Sequence, residues 1–289
     1  MKLLSFLRLI ASLLVALALF AFNTAAINNN YDQRTITELI DDLTQIDSES
    51  LGINSAAVYE GFIGNDQVPS FQEGLLGVPA PKVSLQMREL VRRGPAALPE
   101  LIRHLDDRRP TSLQVGNSSN SSGATGHFFM FTLFSDEYDP RVPYWFDEEK
   151  SKSWPKPVEK TFDGRYTVKV GDVCYVLIGQ IVNRQLEAVR YQPTAGLIVN
   201  SPIEIPSLAE KVRNDWGKAD AGVLEAALLS DVRDANHPKR ISKAAYTARF
   251  VNPALERLRF YFPDTYNALK GDDLRKRKEF ENQESDQRR

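Results

Sequence analysis

The sequence predicts a mainly α-helical fold of irregularly stacked helical hairpins, with long loops and at most a minor β element. Three observations predict it. Leu98, Leu101, Ile102 and Leu105 recur at helical spacing, so they form one apolar stripe on a short helix. The stretch 207–269 reads as a succession of capped helical segments. The stretch 64–84 holds Gly64, Pro69, Gly74, Gly77, Pro79 and Pro81, residues that interrupt regular structure and make a long connection.

The chain opens with Lys2 and Arg8, an uncharged apolar run over 9–22, and the small residues Thr24-Ala25-Ala26. This order of basic, apolar and small segments is the grammar of a cleavable secretory signal over 1–26. The run is short for a bilayer span, which takes about 20 residues; an uncleaved N-terminal anchor is the competing reading. The expected location is therefore outside the cytoplasm, periplasmic or extracellular. No later stretch is apolar and long enough to span a bilayer, so no membrane contact is expected after cleavage.

The remaining organisation follows in order. Region 27–116 is an N-terminal helical region. Within it 35–46 reads as an amphipathic helix with Thr35 and Glu38 in capping-box spacing. A second short helix is expected over 55–62. Two segments, 85–93 and 96–105, form a helical hairpin. Gly94 stands where a left-handed residue would end the first helix, and Pro95 and Pro99 fall near the start of the second. Residues 117–126 are a Ser/Asn-rich loop. Region 127–270 combines an aromatic loop region with C-terminal helices packed on the first region. Its opening aromatic run, 127–134, is a buried strand or core helix, and 138–157 is an extended loop.

The stretch 166–184 is ambiguous. Alternation over Tyr166 to Val170 suits a strand with a turn at Gly171-Asp172. Alternatively Asp172 caps a buried helix over 173–184, which its length favours. A short strand is expected over 195–200. Helices then follow over 207–218, with Ser207 and Glu210 in capping-box spacing, and over 221–234, capped by Asp220. Further helices are expected over 242–250, 253–262 and 264–269, with Asn252-Pro253 as a cap and first-turn pair. The tail 271–289 is almost wholly polar, so it is expected to be disordered.

Gly94, Ala97, Pro99 and Leu101, followed by Leu105 and Asp106, resemble the second-helix signature of a HEAT-type (armadillo-like) repeat. The match covers 85–110. The chain also resembles, loosely, uncharacterised exported bacterial proteins with divergent HEAT-like helices. The resemblance implies that further helix pairs stack on this hairpin and that helical faces meet other proteins.

Composition excludes several functions. A 289-residue chain that is 42% hydrophobic and 26% charged folds around a core. Its net charge is −2; losing Lys2 and Arg8 with the signal makes it −4, which gives no broad attraction to nucleic acid. The single Cys174 cannot form an internal disulfide, and its apolar neighbours suit a buried, inert thiol. His104, His127 and His237 have no metal-type partner nearby in sequence, and no phosphate loop or serine-hydrolase elbow is present. No cofactor or metal is expected.

Two polar segments are candidate binding sites. Asp136, Glu137 and Asp139, with Trp145 and then Asp147-Glu148-Glu149, put acids beside aromatics. Paired carboxylates across a cleft are what glycoside hydrolysis uses. Arg184, Arg190 and Tyr191 form the second segment, where arginines suit an anion or a partner's carboxylates; a structural role for these arginines, pairing with Asp172 or Glu187, is the favoured reading. The leading expectation is a noncatalytic interaction or scaffold protein whose partner is another protein. The alternative is an exported hydrolase acting on carbohydrate or another envelope polymer through the carboxylates of 136–149.

Overall fold

The structure, a computed structural model, describes residues 31–47, 62–65, 84–116, 131–139, 165–192, 196–233 and 246–287. Among these residues helix dominates, and strands are confined to two small sheets. The expected helix over 55–62 apart from Phe62, which is buried and not helical, the loop 117–126 and nearly all of 138–157 lie outside the described residues, as does the segment 1–30. No described helix is long and apolar enough to cross a membrane.

Helix α1 (Ile36–Asp41) starts with the capping box the sequence predicts. The Glu38 amide donates to Thr35 Oγ1 at 3.2 Å, and the Thr35 amide donates to Glu38 Oε2 at 2.7 Å. A 3-10 turn, Asp42–Gln45, continues it. Leu39, Ile40 and Leu43 of this unit are buried, which is the stripe its period requires.

The hairpin forms as expected. Ser84 caps α2 (Leu85–Arg93) by accepting from the Met87 amide. Gly94 then turns the chain at φ 52°. An added Cβ there would sit 2.5 Å from Tyr261 Cε1, so glycine is needed both for the backbone and for the close ring. The 3-10 turn Gly94–Ala96 leads into α3 (Leu98–Arg103), whose Leu98, Leu101 and Ile102 are buried. A last 3-10 turn, His104–Asp106, buries Leu105.

Strand β1 (Pro110–Gly116) follows, where the sequence predicts no regular element. Its signal is a short alternation: Thr111, Leu113 and Val115 are buried, while Ser112 and Gln114 are exposed. Period two over so few residues is weak beside proline and glycine. It pairs antiparallel with β3 (Arg165–Lys169). The second sheet has the order β2-β5-β4, with β2 (Phe131–Phe134) parallel to β5 (Gly196–Val199) and β4 (Val189–Gln192) antiparallel to it. Thus part of the aromatic run is a strand, and the strand expected over 195–200 is present.

The ambiguous stretch holds a strand and then a helix. Strand β3 runs without a loop into α4 (Val170–Val182), every residue of which is buried. Asp172 is therefore not the cap residue. It lies inside the first turn and reaches back, accepting from the Lys169 amide at 2.8 Å. The hairpin docks on this end of α4: an added Cβ at Gly171 would lie 2.6 Å from the Leu105 carbonyl oxygen, and the Gly171 amide donates to the Asp107 carbonyl at 3.0 Å. Helices α2 and α3 pack along α4.

The C-terminal half is helical as expected, with shifted boundaries. Helix α5 (Pro206–Trp216) begins at its proline. Pro206 has no amide to leave unsatisfied in a first turn, so Ser207 falls inside the helix and its expected capping box is not used. Helix α6 (Ala221–Arg233) is capped as expected, the Val223 amide donating to Asp220 Oδ1 at 2.9 Å. No break occurs at Asn252-Pro253. A π turn, Thr247–Val251, passes directly into α7 (Asn252–Tyr261); the wider turn accommodates a proline ring that would crowd an α-helical carbonyl. Helix α8 (Pro263–Asn267) follows. The tail expected to be disordered over 271–289 is instead helix α9 (Gly271–Gln287), with Lys276 and Phe280 buried. Its charges are spaced to pair: Arg275 with Asp272 and Glu279, and Arg277 with Glu281, which supports an otherwise polar helix.

Candidate functional site

Helix α4 ends at Asn183, a left-handed residue with φ 57°, a conformation asparagine tolerates at helix ends. That turn aims two polar side chains at α6. Asn183 Nδ2 donates to Asp231 Oδ2 at 3.0 Å and to the Phe250 carbonyl at 3.2 Å. Arg184 donates from one terminal nitrogen to Asp231 Oδ2 at 2.7 Å and to the carbonyls of Asn183 at 2.8 Å and Val182 at 3.1 Å. Its Nε lies 3.7 Å from Asp139 Oδ2, and its guanidinium lies 5.2 Å from the centre of the Trp216 ring. A carboxylate as buried as Asp231, at 5% exposure, is tolerable only with such partners.

The candidate residues Arg184 and Asp139 are thus brought together. Asp139 adopts φ 43° and accepts from the Gln185 amide at 3.1 Å, so it fastens the 135–139 segment to the end of α4. Next to it the Tyr138 hydroxyl donates to Asp215 at 2.7 Å; burial and that carboxylate push the phenol pKa far up. Asp136 is exposed, and Lys211 Nζ approaches its backbone carbonyl at 3.5 Å. The Glu137 amide donates to Asn200 Oδ1 at 3.3 Å. Arg190 and Tyr191 sit on β4, opposite Ile198 and Leu197 of β5. Trp145, Asp147, Glu148 and Glu149 lie outside the described residues. Of the two arginines, Arg184 takes Asp231 and Asp139 as its charged partners, and the Arg190 side chain lies outside the described residues.

A second polar cluster, at the other end of α4, is not foreseen from the sequence. Asp172 and Ser201 have no solvent exposure. Ser201 Oγ donates to Asp172 Oδ1 at 2.5 Å, and the Tyr166 hydroxyl donates to Asp172 Oδ2 at 2.6 Å. Ser201 Oγ also accepts from the Ile203 and Glu204 amides at 3.2 and 3.3 Å. Lys169 Nζ stands 4.4 Å from the Tyr166 ring centre and 3.2 Å from Glu204. Burial raises the Asp172 carboxyl above its ordinary range despite these donors, and burial beside Asp172 raises the Tyr166 phenol. A serine, an aspartate and a tyrosine in contact invite a catalytic reading, yet a nucleophile must reach its substrate, and here the oxygens face one another inside the fold. They lock β3, the start of α4 and the 201–204 turn.

Cys174 is buried, and burial pushes its thiol pKa far up, the opposite of an activated thiolate. Among the described residues no three His, Cys, Asp or Glu side chains gather as metal ligands. Asp231, Trp216 and Ser201 were not legible as site residues, because each acts through a partner far away in sequence. Only Asn183, a polar residue closing an apolar helix, carried a local signal.

No family model, curated protein or solved structure matches this chain.

Proposed function

We propose that the protein is an exported, noncatalytic interaction or scaffold protein whose HEAT-like helices present their outer faces to another protein. One observation carries this reading. Arg184 and Asp139, the candidate residues that the fold unites, are joined to Asp231 in an interior cluster that holds α4, α6 and the 135–139 segment together. Their charge serves packing, which leaves recognition to the solvated sides of the surrounding helices. On α2 and α3 those sides carry Arg92, Arg103 and Glu100, residues suited to a partner's polar rim. The N-terminal grammar of 1–26 supports export.

Affinity capture with the mature chain from its native envelope tests the reading. The expected result is a specific protein that is retained when Asp136, Glu137 and Asp147 are replaced by Ala. Loss of capture with that triple variant, together with turnover of an envelope polysaccharide by the unsubstituted chain, would contradict it.

A further inference from the structure

The buried contacts among Asp172, Ser201 and Tyr166 need more protons than an ionised carboxylate leaves them. Three pairs of oxygens stand at hydrogen-bond distance. Ser201 Oγ is 2.5 Å from Asp172 Oδ1, Tyr166 Oη is 2.6 Å from Asp172 Oδ2, and Tyr166 Oη is 2.8 Å from Ser201 Oγ. The three side chains therefore close a ring through the carboxyl group. Each contact takes one proton, and an ionised aspartate can only accept. The two hydroxyls then supply two protons for three contacts, so one pair of oxygens meets lone pair to lone pair. One hydroxyl shared between two acceptors would serve both poorly, because a hydrogen bond weakens steeply as it bends. A neutral carboxylic acid adds the third proton, and every contact in the ring is then made.

The surroundings act in both directions. Asp172 and Ser201 have no solvent exposure and Tyr166 is buried beside them, so a charge in the ring is costly. The Lys169 amide opposes this by donating to Asp172 Oδ2 at 2.8 Å, and so does the Lys169 ammonium, which lies 3.5 Å from Tyr166 Oη and 3.2 Å from Glu204 Oε1. Burial outweighs both and raises the Asp172 carboxyl. Cys174 follows two residues along α4, and the hairpin end contributes the Asp107–Arg109 pair and Arg108, whose guanidinium approaches the Ile203 carbonyl at 3.5 Å. The side chains of Lys169 and Glu204 are partly exposed, so Tyr166 and Lys169 give the ring an outlet through which its proton reaches solvent.

We propose that Asp172 is an uncharged acid at neutral pH, and that its ring with Ser201 and Tyr166 is a latch that alkali opens. When the proton passes to solvent, the Tyr166–Ser201 pair loses its hydrogen bond and a charge is left in the interior. Strand β3 is held by β1, and α4 is enclosed, so the 201–204 turn is the part that yields. That turn joins β5 to α5, and its opening loosens the start of α5. The latch does not depend on the scaffold reading, since it concerns the fold's response to pH whatever the helices bind.

Infrared difference spectroscopy of the full chain, with isotope-labelled aspartate, tests the ring. The spectrum of the unsubstituted protein minus that of Asp172→Asn should contain the carbonyl band of a neutral carboxylic acid at about pH 7. The band should vanish as pH rises, and hydrogen-exchange protection of the Ile203 and Glu204 amides should fall with it by about tenfold. Asparagine offers one donor side and one acceptor side, as the neutral acid does. Asp172→Asn should therefore keep the protection seen at neutral pH and lose its alkaline change, whereas Asp172→Ala should lack the protection throughout. Lys169→Met removes a cation that favours the ionised form, so the band should persist to higher pH. Absence of the acid band at about pH 7, or a turn as loose in Asp172→Asn as in Asp172→Ala, would overturn the neutral ring. A band that vanishes while the turn stays protected would overturn the latch.

Discussion

Asp172 and Asp107 show how single carboxylates are coupled to the fold in opposite directions. Burial raises Asp172. Protonation then favours the native state, so that contribution is complete below the ordinary aspartate range and is lost as pH rises through the raised value. Asp107 is also pushed up by burial, but its contacts with Arg109 and His104 outweigh this and hold it at about 2. Its contribution is present above the ordinary range near 4 and is lost as pH falls toward 2. The shift corresponds to about 1–2 kcal/mol once screening by solvent is allowed for. Urea unfolding of Asp107→Asn should therefore show a loss near about pH 6 that narrows toward about pH 3; an equal loss at both would contradict the assignment. Asp172→Ala leaves Tyr166 and Ser201 without their shared acceptor inside the fold, at an expected cost of about 3 kcal/mol. Arg184→Met removes the charged partner of Asp231 and leaves it the neutral Asn183 amide, at an expected cost of about 3 kcal/mol, with part recovered in Arg184→Met/Asp231→Leu. A double-mutant cycle by denaturant titration measures the coupling, and simple additivity would refute the interior ion pair.

At the scale of elements, α4 is the organising piece. It is enclosed along its whole length, and glycine sets how closely its start can be approached. Gly171→Ala pushes a methyl into the Leu105 carbonyl. Backbone cannot swing aside as a long side chain can, so the hairpin must shift. The variant should lower the unfolding midpoint and speed hydrogen exchange across α3 before it affects α6. Unchanged exchange in α3 would show that the contact is not close in solution. The sequence carried these elements unevenly. The capping box at Thr35, the stop at Gly94 and the cap at Asp220 rest on residues within a few positions of one another, so they could be read. Asp172 mimics a cap because the preceding strand runs straight into the helix, leaving no loop to mark the boundary. Strand β1 is hidden because its pairing with β3 joins residues far apart in sequence. Helix α9 is hidden because its anchor is Phe280 against Arg259, a contact invisible to composition.

Across the whole molecule, the same limit governs the candidate site. Arg184 and Asp139 could be singled out as polar residues beside apolar segments, but their meeting at Asp231 depends on how α4 and α6 cross. Polar groups gather at both ends of α4, where they tie strands, turns and neighbouring helices to an apolar axis. On the proposed scaffold reading, recognition then falls to the outer surfaces of the helices. The most direct measurement of that proposal is residue-resolved cross-linking of the chain to any protein retained with it from an extract of its source cells. The cross-links should fall on the outer sides of α2, α3, α5 and α6. Cross-links concentrated on 136–157, with the helical sides untouched, would contradict the account.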